Sequence, residues 1–468
     1  MTYSWLLIVI IHSAGLLFAW QALYQPRTPQ GTLAWILALI FIPYIAVPAF
    51  LYFGEQKFSG YVRARRSGDS HLSPYAEKLA DSIQPCHLIL PDDHPCKTLE
   101  NLTRFNFSSH NHCQLLIDGE NTFNHLCQQI DKANHYILMQ FYIVEDDALA
   151  QRVRGHLLNA RQRGVCIYFL YDEIGCHDLS EDFWQPLRDH GAQIHAFNSS
   201  RGRHQFQLNF RNHRKICVLD GEQAYIGGHN LSVHYLGKDI PWRDTHLHLL
   251  GPAVLSLQLF FLEDWYWATG NTPQLNWQLK INTHNSDCHV LPIALAPTNN
   301  FSTGVLLFTE LINSAKSRIW LVSPYFVPDE SICTALHLAA LRGVDIRILL
   351  PEKSDLRFVD YAAWTYIEQL LPKGIHFYLY HRGQLHQKVS LIDDNLSIIG
   401  TANLDNRSLH INFEALVVID NAAFNQQVAQ MLTEDFNCSI RLDHSALQER
   451  SYPARFISRI MRLFAPLQ

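Results

Sequence analysis

One eight-residue frame occurs twice in this chain of 468 residues. His213-Arg214-Lys215-Ile216-Cys217-Val218-Leu219-Asp220 and His386-Gln387-Lys388-Val389-Ser390-Leu391-Ile392-Asp393 both read His-x-Lys, four mostly apolar residues, Asp, and they begin 173 positions apart. The register holds downstream: Gly227 and Gly400 lie 14 residues past their histidines, and Asn230 and Asn403 lie 17 past. A lone His-x-Lys says little. A duplicated frame with the same followers requires two structural copies, and it points to one site built by both.

The residue types in the frame suit phosphate chemistry. Side chains alternate along a strand, so His213 projects with Lys215 and His386 with Lys388. Two copies set face to face bring together two imidazoles and two ammonium groups. One imidazole can attack phosphorus while the other protonates the leaving oxygen. The lysines, with the amides of Asn230 and Asn403, can hold the charge on the phosphoryl oxygens. Asp220 and Asp393 sit at odd parity from their histidines, beside Gly221 and in an Asp-Asp-Asn turn. They are expected to brace the hairpin rather than touch substrate.

Several classes are disfavoured by composition. A formal charge of −6 argues against a nucleic-acid enzyme, which usually shows a basic groove. None of the ten cysteines forms Cys-x-x-Cys, and several lie in apolar runs, which suggests reduced thiols in a cytoplasmic compartment. The 26 histidines include no His-x-x-x-His spacing, so no metal site is expected.

The N-terminus carries two apolar stretches, about 5–23 and 33–53, the second with no charge at all. Each is long enough to cross a hydrocarbon core of ~30 Å as one helix, with Pro43 and Pro48 kinking the second. A cleaved signal peptide is the rival for the first stretch; it lacks a basic leader, and a second apolar stretch follows at once. Arg27 alone lies between the stretches, whereas Lys57, Arg63, Arg65 and Arg66 follow them. The positive-inside bias then puts both termini in the cytoplasm.

The remainder alternates strand-like and helical patterns, which predicts an α/β fold of two repeats with mixed sheets covered by helices. The first copy reads helix 123–133, strand 136–144, helix to about 163, strand 165–171 and strand 193–197. The second reads helix 305–315, strand 318–327, helix 332–342, strand 344–350 and strand 375–380. The organisation expected is a transmembrane hairpin at 1–54, a membrane-proximal connector at 55–110, and repeats at 111–280 and 281–468.

At the two frames the chain resembles the phospholipase D superfamily, whose signature is this motif in duplicate. Gly400-Thr401-Ala402-Asn403-Leu404-Asp405-Asn406-Arg407-Ser408 and Asn412-Phe413-Glu414 are similar to the second motif region of bacterial cardiolipin synthases. So are Gly227-Gly228-His229-Asn230 and Trp242-Arg243-Asp244-Thr245-His246, while Ala34-Trp35, Pro43 and Tyr52-Phe53-Gly54-Glu55 fit that family's membrane segment. The resemblance covers nearly the whole chain except residues 60–110. It implies two phospholipase D-like repeats sharing one active site, with His213, Lys215, Asp220, His386, Lys388 and Asp393 as the catalytic frames. It implies phosphatidyl transfer between two phosphatidylglycerol molecules, at a cytoplasmic membrane of anionic lipids and without a cofactor.

Each histidine needs an orienting carboxylate. Within its own copy each has one candidate: Asp244, 31 residues past His213, and Glu414, 28 past His386. At the C-terminus, Phe456, Ile460, Leu463 and Phe464 share a helical face flanked by Arg455, Arg459 and Arg462. That pattern suits an interfacial helix on an anionic bilayer and equally a helix docked on the protein. Three functions fit the residues: a cardiolipin synthase, a phospholipase D-type hydrolase or transferase to another alcohol, and a silent lipid-binding membrane protein. The third leaves two intact frames without a purpose. The first two differ only in the acceptor, water or a lipid hydroxyl.

Overall fold

In each copy, strands that are apolar on both faces must be covered by helices on both sides. The computed structural model describes the chain except residues 1, 26–27, 55–58, 92–93, 95, 104, 198–208, 238–241, 281–286, 298–301 and 466–468; for 2–4 and 59–70 it describes the backbone alone. Arg27, Lys57 and part of the polar segment before the second copy therefore lie outside the described residues.

Both copies build the same seven-stranded arrangement. From its outer edge the first runs Gln193–Phe197, Cys166–Asp172, Tyr136–Phe141, Ile216–Leu219, Gln223–Gly227, Thr245–Leu250, Ser108–Ile117. The second runs His376–Tyr380, Asp345–Pro351, Arg318–Val322, Val389–Ile392, Leu396–Gly400, Glu414–Asp420, Cys288–Leu295, with Ser439–Arg441 added outside. The three outer strands of each series are parallel and the others antiparallel. The two innermost strands pair antiparallel, Ser108 with Val290 and Asn111 with Cys288, so the copies form one continuous 15-stranded sheet.

Helices Asp118–Ile130, Ala148–Gln162 and Glu181–Asp189 cover the outer face of the first copy, where Phe123, Val153 and Trp184 meet Ile137 and Phe169. Thr303–Ser314, Glu330–Leu341 and Arg357–Leu370 do the same for the second, with Leu307, Leu336 and Ile367 on Ile319 and Ile348. The inner faces share a single core. Helices Ala253–Thr269 and Ala422–Asn437 bring Phe260, Trp265, Phe424 and Met431 against Val218, Leu249, Leu391 and Val417, residues of both copies. The halves are thus one folding unit, closed through the apolar contact that dominates folding.

Asp220 and Asp393 show how the frames are anchored. Both adopt left-handed backbone, φ 56° and 50°, which Asp tolerates better than most residues. The Asp220 carboxylate accepts the backbone N–H groups of Asn134, His135 and Tyr136, each at 2.8 Å. Asp393 accepts those of Lys316, Ser317 and Arg318 at 2.7–3.1 Å. Each Asp pins the entry of the neighbouring central strand to the hairpin that follows its histidine.

The N-terminus departs from the expected pair of spans. Trp5–Leu23 lies in a helix long and apolar enough to cross a membrane. The second stretch is broken at Ile42-Pro43 into helices Pro29–Phe41 and Pro43–Phe53. Pro43 has no N–H and its ring disfavours helical backbone at Ile42, which sits at φ −133°, ψ 51°. Pro48, by contrast, is carried within the second of these helices. Both short helices pack on the first, where a Cβ at Gly15 would lie 2.4 Å from the Leu39 carbonyl oxygen. The connector, left open by the sequence, contains helices Ser59–Ile83 and Lys97–Thr103.

Replacing Asp220 with Ala should lower the unfolding free energy by roughly 2–4 kcal/mol, since it orphans three N–H groups and strains a left-handed residue. Activity per folded molecule should stay within about tenfold. Equilibrium unfolding alongside specific activity checks this; unchanged stability contradicts the bracing role.

Candidate active site

The His-x-Lys segments are extended but lie just before their strands, Ile216–Leu219 and Val389–Ile392, rather than inside them. Each is docked by its backbone on the opposite copy. The His213 N–H donates to the Phe413 carbonyl at 2.9 Å, and the Phe413 N–H to the Arg211 carbonyl at 2.8 Å. Gln384–Leu385 pairs in parallel with Trp242–Arg243, and the His386 N–H donates to the Arg243 carbonyl at 2.8 Å.

That docking places each carboxylate beside the histidine of the other copy. Glu414 takes the Nδ1–H of His213 at 2.9 Å, and Asp244 takes that of His386 at 2.7 Å. The within-copy assignment suggested by sequence order is therefore reversed for both. A carboxylate at this distance accepts, so Nδ1 carries the proton and Nε2 is left to meet phosphorus or a hydroxyl. Both carboxylates are fully buried. Glu414 also accepts the Thr401 hydroxyl at 2.5 Å and the Asn412 amide at 3.2 Å. Burial pushes the Glu414 carboxyl up, but His213, Lys215 and these hydrogen bonds outweigh it, and the group lies below its ordinary value. Among the described residues Asp244 accepts from the Thr245 N–H besides His386, and burial leaves its carboxyl raised.

The lysines lie under the histidines. The Lys215 ammonium donates to the His213 carbonyl at 2.8 Å and sits 5.2 Å from the centre of the Tyr142 ring. The Lys388 ammonium donates to the His386 carbonyl at 2.5 Å and lies 3.1 Å from Nδ1 of the same imidazole. Burial lowers Lys215 well below its ordinary value and Lys388 to about 8. Burial also lowers His213 to about 4 despite the opposing pull of Glu414, and it lowers His386, aided by Lys388. Both imidazoles are therefore held towards the neutral form.

A cleft of about 410 Å³ opens above these groups, lined by His213, His386, Asn230 and Asn403 among others. The Asn230 amide is engaged: its oxygen accepts the Ile143 N–H at 3.3 Å and its nitrogen donates to the Tyr235 hydroxyl at 3.1 Å. Asn403 keeps its buried side-chain oxygen without a hydrogen-bond partner. Asp220 and Asp393 take no part in the cleft lining. Among the described residues no group of His, Cys, Asp or Glu side chains is placed to hold a metal ion.

Sequence reading missed several groups. Tyr142 meets His213 edge-on at 4.9 Å, and the Tyr235 hydroxyl lies 3.2 Å from His386 Nδ1. Arg211 and Arg407 line the His213 side of the cleft, each close enough to Tyr142 to act on its hydroxyl. Arg214, inside the first frame, is almost wholly buried. It pairs with Asp264 at 2.9 Å and donates to the Glu414 carbonyl at 3.1 Å, so it ties the halves together. Asp264 within the apolar helix Ala253–Thr269 was the available signal, because a buried acid needs a partner.

Two histidine–carboxylate pairs and two lysines, contributed by a duplicated α/β sheet, define the phospholipase D class of phosphodiester enzymes. The family described as "Cardiolipin synthase, PLD-like domain" matches residues 126–239 and 308–436. Cardiolipin synthase A of Pseudomonas aeruginosa is 40% identical over 479 residues, 100% of this chain and 96% of that protein. The Pseudomonas entomophila protein of the same name is 39% identical over 475 residues, 98% of each. Phosphatidylserine synthase of Haemophilus influenzae shares the fold, with a TM-score of 0.60 at 14% identity over 80% of this chain and 100% of its own. The chain belongs to the phospholipase D-type cardiolipin synthase family and is a phosphatidyltransferase.

The exchanged pairing predicts a pattern in double-mutant cycles. His213→Ala with Glu414→Gln, and His386→Ala with Asp244→Asn, should show coupling of roughly 1–3 kcal/mol in unfolding free energy. The combinations His386 with Glu414 and His213 with Asp244 should show less than half of that. Equal coupling in all four cycles contradicts the exchange.

Proposed function

We propose that the site transfers a phosphatidyl group from one phosphatidylglycerol to a second, giving cardiolipin and glycerol. The cross-paired histidines facing one cleft carry this reading. Nε2 of neutral His213 attacks phosphorus and a phosphatidyl-histidine forms. The P–O bond to the headgroup breaks, and His386 gives its proton to the departing glycerol oxygen. His386, now neutral, takes a proton from a hydroxyl of the second phosphatidylglycerol. That oxygen attacks phosphorus and frees His213. Lys215 and Lys388 hold the phosphoryl oxygens. The bound phosphodiester supplies the negative charge that lets His386 hold its proton, and the two imidazoles titrate as a coupled pair. The bond made resembles the bond broken, so no nucleotide is required.

The apolar helices fit a lipid acceptor. Trp5–Leu23 can cross the bilayer, and we assign Pro29–Phe53, a length of about 37 Å as helix, as a broken second limb that returns the chain to the cytoplasmic side. A site held at the bilayer meets lipid hydroxyls at high local density. The hydrolase alternative uses the same residues with water as acceptor.

Three outcomes test the reading. Purified protein in phosphatidylglycerol bilayers should release glycerol one-to-one with cardiolipin, and added glycerol should reverse the reaction. Phosphatidic acid as the main product across a range of lipid densities would replace the synthase by the hydrolase. His213→Ala and His386→Ala should each lower turnover by more than about 10⁴-fold while remaining folded; near-normal turnover in either sinks the shared site. Lys388 sits near 8 and acts as a cation, so kcat/KM should fall as pH rises through about 8. Lys388→Arg should move that basic limb upward, and an unmoved limb would exclude Lys388 as its source.

A further inference from the structure

The helix Tyr452–Leu463 presents two different faces. One docks on Arg357–Leu370: Ser458 is fully buried and accepts from Arg450 at 2.9 Å, and Arg462 lies over the Tyr366 ring at 5.0 Å and reaches Gln369. Arg455 also turns inward, donating to the Leu447 carbonyl at 2.5 Å. Two of the three arginines expected to flank a membrane face therefore hold the helix to the protein instead.

The opposite face is apolar and open to solvent. Tyr452 is 86%, Phe456 67% and Leu463 78% exposed, and exposed Arg459 stands among them. At about 100° per residue these four positions fall within an arc of about 60°. A soluble surface does not keep such a stripe by chance, because isolated exposed apolar residues scatter. The helix is already fixed by its other side, so this face is free to meet a partner without any rearrangement.

The position of the stripe identifies the partner. The carbonyl of Ala465, just past the helix, accepts from the Asn406 side chain at 3.1 Å. The next residue, Arg407, lines the cleft. Leu356 and Phe358, both exposed, line the same cleft, with exposed Arg357 between them at the start of the helix on which Tyr452–Leu463 docks. The cleft rim and the helix that carries the stripe are thus joined through Asn406 and through Arg357–Leu370.

We infer that the outward face of Tyr452–Leu463 is a second bilayer contact, which lies on an anionic lipid surface and, with Leu356 and Phe358, holds the cleft mouth against the membrane. The apolar side chains enter the acyl boundary while Arg459 and Arg357 meet lipid phosphates. A cleft fixed by the N-terminal helices alone could tilt away from the lipid plane; a second contact removes that freedom. The inference rests on the proposed lipid substrates, and the experiment separates the two.

In the full chain, Phe456→Asp combined with Leu463→Asp should reduce turnover at least about tenfold in proteoliposomes containing phosphatidylglycerol. It should leave turnover within about twofold on dispersed short-chain phosphatidylglycerol, which needs no bilayer docking. Arg459→Glu, an exposed change that cannot unfold the helix core, should reduce only the proteoliposome rate, and less so at high salt. Unchanged proteoliposome rates in both variants overturn the inference, and so does equal loss in both assays for Arg459→Glu. A stable oligomer that the double variant dissociates would assign the face to a second copy and overturn it too. Wild-type protein that makes no cardiolipin in either assay would instead refute the proposed reaction.

Discussion

The structure depends on one exchange: each copy carries the histidine of one pair and the carboxylate of the other. Backbone docking sets this up. His213 pairs with Phe413, the neighbour of Glu414, and His386 with Arg243, the neighbour of Asp244. A slip of one residue in either contact would turn the carboxylate to the wrong face. The continuous sheet and the shared inner core therefore do more than stabilise the fold. They hold two chain segments about 200 residues apart in sequence within hydrogen-bond range of each other. Neither copy alone contains a complete pair.

Charge balance follows from the same exchange. The ammonium groups of Lys215 and Lys388 and the carboxylates of Glu414 and Asp244 lie buried beneath the cleft, and buried Asp405 lines it. A phosphodiester brings one further negative charge, and one imidazolium offsets it. Burial of this many charges is costly, so hydrogen bonds must fill every side of them. The outer supports repeat the pattern with different residues. In the first copy Arg214 of the frame meets Asp264, and Asp264 also accepts from Gln140 and Asn212. In the second, neutral Gln387 takes the place of Arg214, and the cation facing Asp435 is Arg243 of the opposite copy. The positive charge has moved from one half to the other while the acid on the inner helix remains.

Much of this was legible because it repeats. The frames, their Gly and Asn followers and the strand–helix alternation have fixed periods, and the structure places strands and helices where the alternation put them. The bracing by Asp220 and Asp393 followed from parity and turn chemistry. What stayed hidden depends on contacts between the copies. Nothing in the order of His213, Asp244, His386 and Glu414 says that the pairs cross. The innermost strands Ser108–Ile117 and Cys288–Leu295 were not read, because the first begins in a polar Ser-Ser-His-Asn run that only the neighbouring strands bury. At the N-terminus, hydropathy counts apolar residues and ignores backbone geometry. The expected kink at Pro43 is a full break between two helices, whereas the one expected at Pro48 leaves its helix continuous.

The copies differ where the carboxylates differ, and the difference has a steric cause. A Cβ on Gly228 would lie 2.1 Å from a carboxylate oxygen of Asp244, so the short acid fills the space that a side chain would need. In the second copy the longer Glu414 carries its carboxylate elsewhere and leaves room for Thr401, whose hydroxyl then donates to it. Gly with Asp and Thr with Glu are thus two solutions to one packing problem. They are not equivalent electrically. Among the described residues Glu414 shares its charge among His213, Thr401 and Asn412, whereas Asp244 has His386 and one backbone N–H. A carboxylate with fewer donors offers more of its charge to its imidazole. The two imidazoles therefore stand against unlike supports, Glu414 below its ordinary value and Asp244 above it. Two histidines drawn from one repeated motif thus differ through what stands behind them, not through the motif itself.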